Sequence, residues 1–372
     1  MWKNNRIFIK SAKNFIFRGN NMETKAKYHH LIPQTYMRSW KHGVTKNSRV
    51  YSVDKGVNDV GSSVKTKDIG GIEDYHSIRV DSLIATNDDC VKFFEPLKNY
   101  QVLIENKIET DLMKLNQNFY DYDSWIIQDD KGNIVSETQK NTLKKDILSI
   151  HVKYIEVEWS RQYENYWNST KDAIIAEIDK HPNQQKIPSV KREELTKFMV
   201  SMDWRTLPYP TRMQEPIDFF FGQKFLGADL KQELIPEDDR LYPFLKTVYD
   251  EFSHSYLLKQ FKKFLQGNGP IMNEAINIIN NMGIILLLAP QNGEFITSDN
   301  PVCWFTNSNG DKEYIFPITP NVACSLKKGI SQTEYIVQQL TKNELISINN
   351  KLKDNCHEFY ILREQNLSLY FQ

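Results

Sequence analysis

The chain has 372 residues, of which 40% are hydrophobic and 25% are charged, a composition typical of a folded globular protein. Its 47 basic and 47 acidic residues balance, which argues against nucleic-acid binding through bulk positive charge and leaves only a local basic groove for such binding. No apolar run approaches the ~20 residues of a membrane-spanning helix, so we expect a cytoplasmic protein without a membrane partner.

The two ends of the chain are left out of the fold prediction. Residues 1–21 carry basic residues and no acidic one, and they lack the continuous apolar segment of a signal peptide. We interpret them as a basic leader or upstream extension, with Met22 as the natural or an alternative start. Residues 369–372 (Leu-Tyr-Phe-Gln) look like the remnant of an engineered protease-cleavage tag.

The first structured segment, residues 22–99, is predicted to contain β-structure. Its residues 30–40 predict a turn followed by one short helix. Residues 49–53 alternate as a strand does, the following Asp-Lys-Gly closes that strand with turn chemistry, and residues 64–69 are predicted to be its partner.

The middle of the chain, residues 100–270, is predicted to be mostly helical. Apolar residues recur at helical spacing over residues 151–178, and another helix is predicted over residues 192–205, ending before Pro208. Aromatic and basic residues alternate between residues 241 and 265. We interpret this last stretch as a core-facing helix with a solvated basic face, in preference to an RNA-stacking surface.

The last segment, residues 271–368, is predicted to be rich in strands. Short apolar runs separated by Gly, Asn and Pro predict strands at 284–288, 295–297, 314–318, 322–326 and 359–362, with one helix at 342–355. The chain is therefore predicted to be α+β, with a largely helical middle and a mixed β-sheet formed by its N- and C-terminal segments. Residues 22–368 are expected to form one composite domain.

The cysteines give no sign of a metal site or a disulfide framework. Cys90, Cys303, Cys324 and Cys356 are scattered and show no CxxC spacing. We expect reduced and mostly buried thiols.

Adjacent histidines precede a proline turn and are the first candidate for chemistry. A neutral imidazole of His29 or His30 could act as a general base or a metal ligand, because its ordinary pKa of about 6.5 suits both roles. Neighbouring side chains diverge on a strand, so only one of the two is expected to point at a site. The spacing alone favours the alternative, in which one imidazole bonds a backbone carbonyl and the other lies on the surface.

Asp299 and Asn300 follow an apolar strand in the sequence Ser-Asp-Asn-Pro. The end of a strand is a common position for ligand contacts, and Asp299 there could bind a metal together with His30 or orient a histidine. It could equally form an Asx-turn that accepts hydrogen bonds from the following backbone amides. The two interpretations are balanced.

Two further polar segments are candidates. Arg205 stands at a predicted helix end, where it could simply favour the helix dipole or could bind a phosphate or carboxylate through its two-pronged guanidinium. Glu73, Asp74 and Tyr75 follow a Gly-Gly turn, and a solvated turn is slightly favoured for them. The strong signatures of nucleotide-binding, kinase, zinc-protease and serine-hydrolase sites are absent from the sequence.

Taken in order, these segments resemble a bacterial family catalogued as domain of unknown function 4238. The matching blocks are His29-His30-Leu31-Ile32-Pro33-Gln34-Thr35-Tyr36-Met37, Glu73-Asp74-Tyr75, Arg205-Thr206-Leu207-Pro208, Phe295-Ile296-Thr297-Ser298-Asp299-Asn300-Pro301-Val302 and Phe316-Pro317-Ile318-Thr319-Pro320. Met37 departs from the family's usual leucine, a swap that conserves volume. The resemblance spans residues 28 to 362.

The resemblance implies that the polar residues of these blocks, His29 or His30, Arg205, Asp299 and Asn300, converge on one pocket. From that set we hypothesise a hydrolase of phosphodiester substrates, nuclease-like and in a bacterial defence or toxin setting, that uses a divalent metal ion. The alternative is a non-catalytic protein that binds a nucleotide or another anion in the same pocket. A nucleic acid or nucleotide is the expected partner in either case.

Overall fold

The computed structural model describes residues 28–43, 48–57, 61–206, 229–237, 240, 242–243, 245–306 and 312–372. The predicted leader at 1–21, the start at Met22 and the helix-ending Pro208 lie outside the described residues.

Helices are most frequent in the middle of the chain. The described α-helices are Gln34–Met37, Asn87–Phe93, Leu112–Gln117, Glu137–Ser149, Tyr154–Trp159, Asn165–Lys180, Arg192–Arg205, Val248–Leu265, Gly269–Asn281, Lys342–Asn355 and Ser368–Phe371. Single turns of 3₁₀-helix occur at Arg38–Trp40, Thr66–Asp68 and Glu95–Leu97, a longer one at Phe119–Ser124, and a π-helical turn at Ser160–Glu164.

Strands lie towards both ends of the chain, with a smaller group in the middle. The described strands are β1 Tyr28–His30, β2 Arg49–Asp54, β3 Ser62–Lys65, β4 Gly71–Glu73, β5 Gln101–Ile104, β6 Lys107–Glu109, β7 Ile126–Gln128, β8 Lys186–Pro188, β9 Met282–Leu288, β10 Thr297–Ser298, β11 Cys303–Thr306, β12 Lys312–Thr319, β13 Val322–Lys328, β14 Glu334–Gln339 and β15 Phe359–Leu362.

The described residues belong to two compact units, each built from separated stretches of chain. The first unit contains Asp74–Val157 and the described part of Met213–Lys262. The second contains Tyr28–Glu73, the described part of Glu158–Arg212, and the described part of Lys263–Gln372. The segment boundaries expected from the sequence stay a prediction.

A four-stranded sheet in the second unit joins the two ends of the chain. Its order is β10-β15-β2-β3, and every pair in it is antiparallel. Strands from residues 49–65 thus pair with strands from residues 297–362. The α+β class predicted from the sequence is confirmed, and N- and C-terminal segments share a sheet as expected.

A six-stranded mixed sheet in the order β11-β12-β13-β9-β14-β8 forms the rest of the β-structure in this unit, apart from the pair β1–β4. Its central strand β9 reads Met-Gly-Ile-Ile-Leu-Leu-Leu and pairs antiparallel with β13 but parallel with β14. A continuous apolar run suits a strand covered on both faces, and Ile284 and Leu286 are buried. Pro317 lies in β12, where the pairing register with β13 shifts, an irregularity that accommodates a residue without an N–H donor.

The last residues of the chain take part in this unit. Tyr370 is buried, its hydroxyl donates to Oε2 of Glu294 at 2.9 Å, and Nδ2 of Asn349 donates to its carbonyl at 3.1 Å. The fold therefore includes the segment 369–372, whereas its origin as a tag remnant stays a prediction.

The first unit contains a small antiparallel sheet, β6-β5-β7, in a region predicted to be mostly helical. A tight hairpin joins β5 to β6, and its Glu105 and Asn106 both have left-handed backbone angles, with φ of 51° and 63°. Turns of this hand match the twist of a β-hairpin, but neither residue is the glycine that signals such a turn in a sequence. These three strands were not predicted, because the local signal is weak.

Helix predictions held where the apolar spacing was regular. The helix predicted over 192–205 is confirmed, and the helix that begins at Val248 buries Phe261 and Phe264, which confirms a core-facing helix. The long helix predicted over 151–178 is confirmed from Tyr154 onward, since Tyr154–Trp159, the π-helical turn Ser160–Glu164 and Asn165–Lys180 follow one another without a break, whereas residues 151–153 precede the helix. The four cysteines are free and buried, as expected.

Among the described helices we find none with the length and apolar character needed to cross a membrane.

Candidate functional site

The two histidines of the N-terminal motif lie on β1, which pairs with β4 through His29 opposite Ile72 and His30 opposite Gly71. His29 is buried, and His30 is half-buried with its ring edge-on to Tyr28 at 5.2 Å between centroids. As expected for a strand, the two side chains enter different surroundings. A catalytic or metal-binding role for either imidazole stays a prediction.

Arg205 is the last residue of its helix, and both terminal nitrogens of its guanidinium donate hydrogen bonds. One terminal nitrogen, Nη1, donates to Oε1 of Glu164 at 2.7 Å, and Nη2 donates to the backbone carbonyl of His30 at 2.6 Å. The guanidinium carbon lies 4.8 Å from the centroid of the Trp159 ring. Arg205 and His30 are therefore brought together, but through the backbone of His30. These contacts favour a role in holding β1 against the helix end.

Asn300 is linked to the same helix end through the residue next to Arg205. The hydroxyl of Thr206 donates to Oδ1 of Asn300 at 3.0 Å, and Nδ2 of Asn300 donates to the carbonyl of Asn355 at 3.1 Å. Asn355 in turn donates from its own side chain to the carbonyl of Asn300 at 2.9 Å. The amide of Asn300 thus ties together the helix ends at Thr206 and Asn355.

Asp299 is directed at the start of β15. Its carboxylate accepts hydrogen bonds from the backbone N–H groups of His357 at 2.7 Å, Glu358 at 2.5 Å and Phe359 at 3.2 Å. Burial raises the pKa of Asp299 above its ordinary value, although these backbone donors lower it. The Asx-turn alternative identified the right kind of partner, backbone amides, but they belong to residues 357–359, nearly sixty positions away. A metal shared by Asp299 and His30 stays a prediction, and the contacts of Asp299 favour an anchoring role.

A second concentration of polar groups lies in the first unit, at the turn Asp74–Ser77. The N–H of Ser77 donates to the carbonyl of Asp74 at 2.8 Å, and the hydroxyl of Tyr242 donates to the same oxygen at 2.8 Å. Asp74 has φ of 53°, a left-handed conformation that is uncommon outside glycine and clusters at functional sites. Asp74 and Tyr75 are buried, so the solvated turn favoured from the sequence is wrong for both residues.

An isolated antiparallel bridge assembles the basic residues around this turn. Ile78 and Val152 exchange both backbone hydrogen bonds, at 3.0 and 2.9 Å. Side chains alternate along extended chain, so the residues flanking the bridge, Arg79 on one side and His151 and Lys153 on the other, lie on one face. That face carries Asp74.

Three basic side chains surround Asp74. Nδ1 of His151 lies 3.1 Å from Oδ2 of Asp74, Nη2 of Arg79 lies 3.8 Å from the same oxygen, and Nζ of Lys153 lies 4.0 Å from Oδ1. Burial alone would raise the pKa of Asp74, but the hydrogen bond and charge of His151 and the charges of Arg79 and Lys153 lower that pKa to about 2. The carboxylate is therefore ionised at neutral pH. We call these four residues the Asp74 cluster.

The same turn presents His76 to a carboxylate. Nδ1 of His76 lies 2.9 Å from Oε2 of Glu156, and the His76 side chain is fully buried. A carboxylate at one ring nitrogen fixes the orientation and the tautomer of an imidazole, and this arrangement recurs in general bases and in metal-ligating histidines. Among the described residues, we therefore take the His76–Glu156 pair as the main candidate for a general base or a metal ligand.

A third histidine of the first unit lies among tyrosines. The ring of His254 is edge-on to Tyr75 at 4.7 Å and to Tyr242 at 5.4 Å. Burial, followed by the electrostatic effect of His76, lowers the pKa of His254 to about 3, while a backbone hydrogen bond of Tyr75 raises it. His254 is therefore a neutral imidazole at neutral pH.

Sequence reasoning missed most of these residues. The signal present was the density of polar residues in Asp74-Tyr75-His76-Ser77 and the basic residues on either side of Val152. Their connection depends on the bridge between Ile78 and Val152, which joins positions more than seventy residues apart. No local spacing reveals such a pairing.

Comparison with known proteins gives one match. A family model described as "Protein of unknown function (DUF4238)" matches residues 28–366. No curated protein and no solved structure matches the chain.

Proposed function

The chain belongs to the DUF4238 family, whose description names no activity, and we propose that it is a hydrolase of phosphodiester substrates in which His76 is the general base. A nuclease in a bacterial defence or toxin system is the specific form of this proposal. A cytoplasmic location is part of it and is supported by the four free, buried thiols, which suit a reducing compartment.

One observation carries the proposal, the contact of 2.9 Å between Nδ1 of His76 and Oε2 of Glu156. With Nδ1 held by the carboxylate, Nε2 is the nitrogen that exchanges a proton with a reactant. In the proposed reaction Nε2 accepts a proton from the attacking water, the water oxygen bonds to phosphorus, and the bond from phosphorus to the leaving oxygen breaks. Glu156 is a positioning residue in this scheme, since it acts through His76.

The substrate class follows from charge. Basic residues outnumber the single carboxylate of the Asp74 cluster, which begins at the same turn as His76. Basic side chains near a general base suit a substrate that is already anionic and gains negative charge during the reaction. Carboxylate–histidine pairs are also frequent in metal sites, so Mg²⁺ and Mn²⁺ belong in the assay.

The test is incubation of the full chain with labelled RNA and labelled DNA, with and without Mg²⁺ or Mn²⁺. We expect the wild type to cleave one of them and His76→Gln to be slower by about 10² to 10⁴-fold, the usual contribution of a general base. Glu156→Gln should lower activity less, because the imidazole remains.

The matched control is His181→Gln. His181 also contacts a carboxylate, with Nε2 at 3.0 Å from Oε1 of Glu177, but this pair lies at the C-terminal end of the helix Asn165–Lys180 in the second unit, so its loss should leave cleavage unchanged. His30→Ala and Asp299→Ala test the residues first singled out by the sequence. Absence of cleavage of both nucleic acids under every metal condition overturns the proposal, as does equal activity of His76→Gln and His181→Gln.

A further inference from the structure

The Asp74 cluster contains an arginine, Arg79, that has N–H donors without a hydrogen-bond acceptor in the described part of the chain. Nη2 of Arg79 lies 3.8 Å from Asp74, which is beyond hydrogen-bonding distance, and Nε of Arg79 has no hydrogen-bond partner among the residues the structure describes. Buried arginine donors are normally satisfied, and each one left without a partner is unfavourable. This guanidinium therefore has the capacity to bind an anion.

The position of Arg79 is fixed by stacking. Its guanidinium carbon lies 5.0 Å from the centroid of the Tyr242 ring, and the hydroxyl of that tyrosine is held by the carbonyl of Asp74. Stacking on an aromatic face orients the plane of a guanidinium and lowers the entropy lost when it binds a ligand. Arg205 in the second unit also has an Nε that bonds none of the described residues, but it differs at its two terminal nitrogens, since both of them bond protein oxygens.

The cluster combines net positive charge with access to solvent. Arg79 and Lys153 supply two fixed positive charges against the single charge of Asp74, and His151 adds a third whenever it is protonated. The side chains of the four residues are between 10% and 26% exposed, so the cluster is neither sealed nor fully solvated. Partial burial strengthens charge–charge interactions relative to the open surface.

We infer that Arg79, His151 and Lys153 form a phosphate-binding subsite, in which Arg79 provides the planar fork and Asp74 holds the three basic groups together. A carboxylate and a phosphodiester both present two charged oxygens that match this fork, and the phosphodiester of the proposed substrate is the anion we assign to it. This assignment deepens the proposed function by naming the group that recognises the substrate's phosphate. It rests on that function for its catalytic meaning.

Inorganic phosphate is the probe, and titration calorimetry on the full chain at constant ionic strength is the measurement. We expect saturable binding by the wild type that Arg79→Gln weakens at least about tenfold, with Arg79→Lys between the two because it keeps the charge but loses the fork. His76→Gln should bind phosphate as the wild type does. Arg161→Gln is the matched control, since Arg161 is an exposed arginine paired with Glu158 on a helix.

Absence of phosphate binding by the wild type overturns the subsite, and so does equal weakening by Arg79→Gln and Arg161→Gln. Should Arg79→Gln fail to fold, judged by its thermal melt, Arg79→Lys and Lys153→Gln decide the matter, and wild-type affinity in both overturns it. Phosphate binding needs no turnover. An inactive protein that binds phosphate through Arg79 would thus contradict the proposed hydrolase while supporting the subsite.

Discussion

The hydroxyl oxygen of Tyr36 lies 2.7 Å from Oγ1 of Thr297, although 261 positions separate the two residues. The Tyr36 hydroxyl donates to the carbonyl of Pro317 at 2.8 Å, so the Thr297 hydroxyl is the donor in the first contact. Trp40 adds a third link, with Nε1 donating to the carbonyl of Phe295 at 2.8 Å. Residues 36 and 40 thus meet residues 295, 297 and 317 through buried hydrogen bonds of the second unit.

Removal of the Tyr36 hydroxyl tests the strength of this junction. Tyr36→Phe leaves the buried Thr297 hydroxyl and the Pro317 carbonyl without this partner, and we expect the free energy of unfolding to fall by about 1–3 kcal/mol. Urea denaturation measures it. Tyr166→Phe is the control, since Tyr166 is 58% exposed and its substitution should change stability by less than about 0.5 kcal/mol. Equal effects of the two substitutions would contradict the assigned contact.

The sequence was a good guide to which segments meet and a poor guide to what their polar groups do. The motif order predicted that residues near His29 and Asp299 belong together, and both lie in the second unit. The partners of Asp299 could not be predicted, because the amides of β15 reach it only through the pairing of β10 with β15. Periodicity reports which face of an element is apolar, and it carries no information on such distant pairings.

The candidate site was hidden for the same reason. Asp74 was noticed as part of an acidic turn, but its basic neighbours come from residues 79 and 151–153. The His76–Glu156 pair likewise joins residues 80 positions apart. The helix predicted over 151–178 also placed residues 151 to 153 in a helix, whereas Val152 forms an extended bridge. Because the backbone bridge between Ile78 and Val152 brings these residues together, their spacing along the sequence shows no periodicity that would predict the site.

Replacement of Asp299 distinguishes anchoring from chemistry. Asp299→Ala leaves three backbone N–H groups at the start of β15 without their acceptor, and we expect a loss of about 2–3 kcal/mol in the free energy of unfolding. The control is Asp129→Ala, in which a carboxylate that accepts two backbone N–H bonds in an exposed turn is removed, with a smaller expected loss. A variant Asp299→Ala of wild-type stability would contradict the anchoring role.

Arg205 should be sensitive to the shape of its side chain as well as to its charge. Arg205→Met leaves the partly buried carboxylate of Glu164 without its cation, and we expect a loss of about 3–5 kcal/mol. Arg205→Lys keeps the charge but cannot bond Glu164 and the carbonyl of His30 through one fork, so an intermediate loss is expected. The double variant Arg205→Met with Glu164→Gln should recover part of the loss in a double-mutant cycle measured by urea denaturation. Additive losses would show that the pair is not coupled.

His254 should make the protein less stable in mild acid. Its pKa is lowered to about 3 in the folded state, against an ordinary value of about 6.5 in the unfolded chain, so below pH 6.5 the unfolded state takes up a proton that the folded state does not. The free energy of unfolding keeps its full value above pH 6.5 as far as His254 is concerned, and it decreases as the pH falls from 6.5 towards 3. The loss amounts to about 2 kcal/mol at pH 5. Urea denaturation at pH 8, 6.5 and 5 measures this loss.

The free energy of unfolding of His254→Gln should fall by about 2 kcal/mol less than that of the wild type between pH 8 and pH 5. A pH dependence in His254→Gln equal to that of the wild type would show that this imidazole does not control acid stability.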